Sequence, residues 1–247
     1  MFYLLYKINV MRFKTLIILS LLVINQATSQ DLTSFFNKTD TFLNTYVSEG
    51  NVAYSNIKAN PKQLNDLLVL ANNISVSKDD AKNYQAFWIN AYNLTVIKSI
   101  IDYYPIKSPL DKSGFFDSIK HTIGGKKVTL NDIENNLLRA QFKDARFHFV
   151  LVCGAIGCPP LINKAYLPNT LEAQLEKQTR VALNGSFLKI NTKKKKVEGS
   201  EILKWYKEDF TRNGETEIDF INKYRIEKIP SNFKLSYFTY NWNLNKQ

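Results

Sequence analysis

The segment from Arg146 to Leu161 concentrates the soft, titratable chemistry of the chain. It reads Arg-Phe-His-Phe-Val-Leu-Val-Cys, then Gly-Ala-Ile-Gly, then Cys-Pro-Pro-Leu, and holds both cysteines and one of the two histidines. The apolar run predicts a central strand, Phe147 to Cys153, that feeds a glycine-bearing loop, a usual place for binding and catalytic groups. Cys158 precedes Pro159-Pro160. A proline can open a helical turn because it needs no bonded N–H. The dipole of such a turn favours thiolate at its N-cap. That is a nucleophile's setting, with His148 as its base in a thiol-dependent hydrolase or transferase.

The geometry limits this reading. His148 to Cys153 spans roughly 16 Å of strand, and the loop to Cys158 can just cover the return. Strand alternation puts His148 and Cys153 on opposite faces. The same two cysteines, separated by a loop with Gly154 and Gly157, can also close a disulfide, structural or redox. Two classes therefore stand side by side. One is an enzyme with Cys158 as nucleophile. The other is a non-catalytic binding module with a Cys153–Cys158 bridge and a buried, hydrogen-bonding His148.

Other candidates surround this centre. In Phe87-Trp88-Ile89-Asn90-Ala91-Tyr92-Asn93 the two asparagines lie on an apolar helix. Buried carboxamides must find partners. Asn90 either ties a neighbouring loop to the helix or orients the imidazole, and Asn93 either does the same or meets a substrate. Glu134 is a second candidate for orienting His148. Trp88, Asn93, Cys153 and Arg146 complete the expected substrate-binding set. Two cysteines and two histidines at these spacings make no four-ligand zinc set. No phosphate-binding glycine loop or nucleophile elbow is present, so no metal or cofactor is expected.

These groups need elements to hold them. Helical periodicity runs from Asp31 to Val47, from Pro61 to Leu70, and from Ser77 to Ile101 with Asp79 and Asp80 in its first turn. Gly124-Gly125 predicts a hairpin turn, and Thr129 or Asn131 a cap for a helix Asp132–Ala140. Further helices are expected at Leu167–Leu183, Ile202–Phe210 and Thr216–Tyr224. A hairpin is expected at Phe187–Ile190 and Lys196–Glu198, its tip the exposed run Lys193 to Lys196. The aromatic tail Phe233–Trp242 predicts a strand. The expected fold is α+β, a helix-rich single domain around a small, mainly antiparallel sheet.

The first residues predict something other than fold. Lys7, Arg12 and Lys14 precede an apolar run from Leu16 to Ile24, followed by Ala27, Thr28 and Ser29. That is the pattern of a secretory signal peptide over residues 1–29, more compact if translation starts at Met11. The run is shorter than the roughly 20 apolar residues of a membrane span. The expected globular domain is 30–247, periplasmic or secreted, with no membrane span after signal removal. The chain has a formal charge of +11 over 247 residues. The expected partner is an anionic cell-envelope ligand rather than nucleic acid, which an exported protein seldom meets.

Several blocks together resemble the domain-of-unknown-function family 547. They are Ala86–Asn93, Gly114-Phe115-Phe116-Asp117, Ile133-Glu134-Asn135, Leu138-Arg139, Asp144–Phe149, Cys153–Leu161 and Ala165-Tyr166. Later come Ser200–Tyr206 with Asp209-Phe210, and the tail from Tyr240 to Asn245. The chain departs from the family pattern at Asn135, often a histidine there, and at Asn241, usually an acid. The resemblance implies a domain found in exported bacterial proteins and brings no established activity.

Overall fold

The helix α4, Ala81–Tyr103, is buried almost all round and organises the elements that carry the site. It starts at Ala81 rather than Ser77, because the Asp80 side chain accepts the Asn83 N–H and so acts as N-cap. The computed structural model describes residues 31–212 and 214–247. The expected signal segment lies outside the described residues.

Around α4 pack the helices α1 (31–46), α2 (Tyr54–Ala59) and α3 (Lys62–Asn73). A short pair, β1 (Val47–Ser48) and β2 (Asn51–Val52), follows α1. The expected hairpin at the double glycine is β3 (His121–Ile123) with β4 (Lys126–Val128). Farther along come α6 (Leu171–Asn184), after a short α5 (Ala140–Phe142), and then β5 (Leu188–Asn191) with β6 (Lys196–Ser200). The chain ends with α7 (Glu201–Trp205), α8 (Lys207–Phe210), α9 (Glu217–Tyr224) and β7 (Lys234–Phe238). The lysine run is the exposed tip between β5 and β6, as expected. β6 pairs antiparallel with β5 and parallel with β7. The fold is helix-rich α+β, with its strands spread over three small sheets among the described residues.

Two expected elements take a different form. Asp132–Arg139 is a π-helix. Ile133 and Leu138, five residues apart, both pack inward, a spacing that suits i→i+5 turns better than an α-helix. Thr129, not Asn131, caps it: the Asp132 N–H donates to Thr129 Oγ1 at 3.0 Å, and the Thr129 N–H to Asp132 Oδ2 at 2.9 Å.

The second correction concerns the expected central strand. Ala145–Phe149 is a 3₁₀ turn, capped by Asp144, which accepts the Arg146 N–H at 2.9 Å. Val150 is a turn residue, and residues 151–153 have no regular secondary structure and join no sheet. Their backbone finds partners elsewhere: Asn93 Nδ2 donates to Val150 O at 3.0 Å, and the Val152 N–H donates to Asn93 Oδ1 at 2.9 Å. One buried carboxamide does the work of a strand ladder. An apolar run has no period of its own to tell a strand from a buried turn.

This turn spans two apolar cores. Phe147 and Val150 belong to the core around α4. Ala145 and Phe149 belong to a second core built from α6, α7, α8, α9 and the three-stranded sheet. Cys158 packs against both. The tail runs along the same seam: the Ile156 N–H donates to Asn243 O and the Gly157 N–H to Asn241 O, each at 2.8 Å. Among the described residues no helix is long and apolar enough to cross a membrane.

Candidate functional site

A cavity of about 290 Å³ opens at this seam. Its polar lining is Glu134 and Asn131 from the π-helical region, His148 from the 3₁₀ turn, both cysteines, and Tyr92, Tyr206 and Tyr240. Phe116, Leu151, Ile202, Trp205 and Trp242 supply the apolar part. Concave, largely apolar sites with a few convergent polar groups are the usual form of a small-ligand pocket.

The cysteines are joined in a disulfide, with Cα atoms 6.4 Å apart. The Cys153 N–H donates to Cys158 Sγ at 3.0 Å. The Tyr240 hydroxyl lies 2.9 Å from each sulfur. Gly157 permits this approach, because a Cβ there would sit 2.8 Å from the Tyr240 ring. Burial pushes the Tyr240 phenol up, and so do Tyr206 and Glu134, so it stays a hydroxyl at neutral pH.

His148 is buried and oriented from the far side of the cavity. Its Nε2 lies 2.7 Å from Asp209 Oδ2, and its ring stacks on Tyr206 with centroids 3.9 Å apart. Asp209 also accepts from Arg139 Nε at 2.7 Å and pairs with Arg212. Burial pushes the Asp209 carboxyl up, but the hydrogen bonds from His148 and Arg139 outweigh it and hold the group below the usual carboxylate range. An ionised carboxylate only accepts, so Nε2 carries the proton of this bond. Nδ1 then faces Glu134 Oε1 at 3.9 Å. Glu134 itself accepts from the Tyr92 hydroxyl at 3.5 Å. Burial raises the Tyr92 and Tyr206 phenols, with the Glu134 charge adding to it, so they remain donors.

Of the expected site residues, Cys158, Cys153, His148 and Glu134 share the cavity; Asn90, Asn93, Trp88 and Arg146 do not line it. Asn90 spends its amide on backbone: Nδ2 donates to Ala86 O and Tyr166 O at 2.8 and 2.7 Å, and Oδ1 accepts the Tyr166 N–H at 3.0 Å. Asn93 is the clamp on residues 150 and 152 described above. Trp88 is buried in the first core, edge-on to Phe87. Arg146 is paired with Asp144 and Glu172. Helix α4 thus delivers to the cavity Tyr92, a residue the asparagine argument passed over.

Asp209, Arg139, Tyr206, Tyr240, Trp205 and Trp242 had no expected role. Their signal was the set of family-like blocks outside the cysteine loop, where each of them stands. Asn135 lies outside the cavity and accepts a hydrogen bond from Arg139, so it supports the Arg139–Asp209–His148 chain from behind. Among the described residues no group of three or more His, Cys, Asp or Glu side chains is placed to hold a metal ion.

Comparison with known proteins returned no match among curated proteins and none among solved structures. Residues 76–181 match the family model described as "Protein of unknown function, DUF547". That span takes in α4, the π-helix, the 3₁₀ turn, the cysteine loop and most of α6; the α7–α8 segment and the tail, which close the cavity, lie beyond it. Over residues 76–181 the chain is thus similar to the DUF547 family.

Proposed function

We propose that the protein is a ligand-binding module, with the Cys153–Cys158 disulfide as a fixed part of the cavity wall and His148 as a buried hydrogen-bonding residue. One observation carries this reading: the sulfur of Cys158 is bonded to Cys153, while the imidazole is hydrogen-bonded to Asp209 and stacked on Tyr206. A nucleophile needs a free thiol with a base in reach, and neither sulfur has a hydrogen bond to His148 among the described residues. We also infer export to the periplasm or medium. The basic start, the apolar run and the small residues up to Ser29 support it, and a disulfide suits an oxidising compartment.

The experiment is a ligand-observed NMR screen of a small fragment library against the native protein and Trp242→Leu. Hits lost in the variant support binding in the cavity. The same hits should persist in Cys153→Ser/Cys158→Ser, because a binding module does not need the sulfurs. Absence of any hit sensitive to Trp242 would overturn the reading.

A second reading is favoured by the shared lining of Cys158, His148 and Glu134. After reduction of the disulfide, Cys158 would serve as nucleophile, His148 as base and Glu134 as orienting group in a thiol-dependent hydrolase or transferase. Asn90 drops out of that scheme because its amide is fully used by backbone.

A further inference from the structure

We propose that the cavity receives an organic cation, a methylated ammonium head group, with Glu134 as its counter-charge and Trp205, Tyr240 and Trp242 as its walls. The proposal rests on the ligand-binding reading and names the class of ligand.

The charge distribution argues first. The chain has 33 Lys and Arg residues, yet among the described residues none lines the cavity. Glu134 does line it, with a side chain only 15% exposed. The ion-pair partner found for it among the described residues is His148, whose Nδ1 is 3.9 Å away and whose other nitrogen is engaged by Asp209. The hydrogen bond to this enclosed carboxylate is a long one from the Tyr92 hydroxyl, and no lysine or arginine pairs with it among the described residues. Its charge is therefore open to a cation that enters from outside.

The walls argue independently. Trp205 and Trp242 stack with centroids 5.9 Å apart, and Tyr240 lies 5.1 Å from Trp205 and 4.7 Å from Trp242. Aromatic faces attract a cation through the ring quadrupole, and tryptophan does so best. Trp205 is 45% exposed, so the cluster reaches the mouth of the cavity rather than closing it from inside. Tyr206 is not a wall: it stacks on His148 and carries the Arg139 guanidinium 4.5 Å from its ring centroid. A volume of about 290 Å³ matches a head group with a short tail. The positive charge of the chain thus lies outside this site, and an anionic ligand would meet Glu134 unfavourably within it.

The test compares choline with 3,3-dimethyl-1-butanol, which has the same shape and no charge, and with butyrate, using tryptophan fluorescence or calorimetry on the native protein. Choline should bind about tenfold or more tightly than the neutral alcohol, with butyrate weaker than either. Glu134→Gln should cut that preference to about threefold or less, and Trp205→Ala should weaken choline by a similar factor. Choline and phosphatidylcholine vesicles, offered in parallel, separate a free head group from one carried on a lipid. Binding of either that is competed by choline supports the claim, and binding of neither overturns it. Equal affinity for choline and the alcohol also overturns it, and that comparison needs no variant to fold. If the fragment hits depend on Trp242 while choline is not preferred, the cation proposal alone fails. If no probe or fragment depends on Trp242, the ligand-binding reading fails with it.

Discussion

Asp209 is the residue on which the imidazole depends. It joins His148 to Arg139 and Arg212 and is buried beneath them. Its folded-state carboxyl titrates below the usual range, whereas the unfolded chain binds that proton near pH 3.9. The unfolded state therefore takes up the proton first. The stabilisation is complete above about pH 5 and is lost as pH falls through the folded value. Asp209→Asn should cost about 3 kcal/mol at pH 7, since it leaves Arg139 and His148 facing a neutral amide. Its stability should also fall less steeply than the parent's between pH 5 and pH 3. Urea unfolding at several pH values measures both, and an unchanged acid slope would contradict the assignment. None of this was legible from one histidine and a nearby glutamate. Asp209 lies 61 residues from His148, and only packing brings it there.

At the scale of elements, the site is held by side chains that replace secondary structure. Asn93 clamps both Val150 and Val152, and Asn90 clamps Tyr166. Asn93→Ala would leave a buried carbonyl and a buried N–H without partners, at about 2–4 kcal/mol. Chemical unfolding checks this, and a loss below about 1 kcal/mol would mean the clamp is dispensable. Gly154 is the second device. Its φ of +82° is left-handed, and a Cβ there would strike Ile100 of α4. Gly154→Ala should destabilise by about 1–3 kcal/mol, visible as a lower melting temperature. The helices were readable because their apolar spacing and caps are local: Thr216 and Asp219 form the capping box that starts α9. The strand expected at Phe147–Cys153 failed because the competing hydrogen-bond partner, Asn93, lies 57 residues away on another element. The π-helix was hidden for a related reason, since its i→i+5 spacing is close enough to a helical pattern to read as an α-helix.

Over the whole molecule, the cavity exists because two apolar cores meet along one turn and are sealed by the C-terminal tail. Tyr240 and Trp242 reach the cysteine loop through backbone bonds from Ile156 and Gly157 to the tail. The cysteine loop stood out in the sequence as a candidate site region, because soft side chains and glycines cluster there, and both cysteines line the cavity. The aromatic wall did not, because its rings come from α7 and the tail, and each reads locally as ordinary core. The disulfide closes only a short loop, so its entropic contribution is modest. Reduction should lower global stability by about 2 kcal/mol without unfolding the chain, as followed by denaturant titration with and without reductant.

In the native cavity Cys158 is bonded to Cys153 and so is not a nucleophile at rest. Mass measurement after alkylation of the native protein, secreted into an oxidising compartment and never exposed to reductant, tests it directly. No label is expected on the folded or the denatured unreduced chain, and two labels after reduction. A single fast-reacting thiol at Cys158 at neutral pH would contradict it and return the site to thiol chemistry.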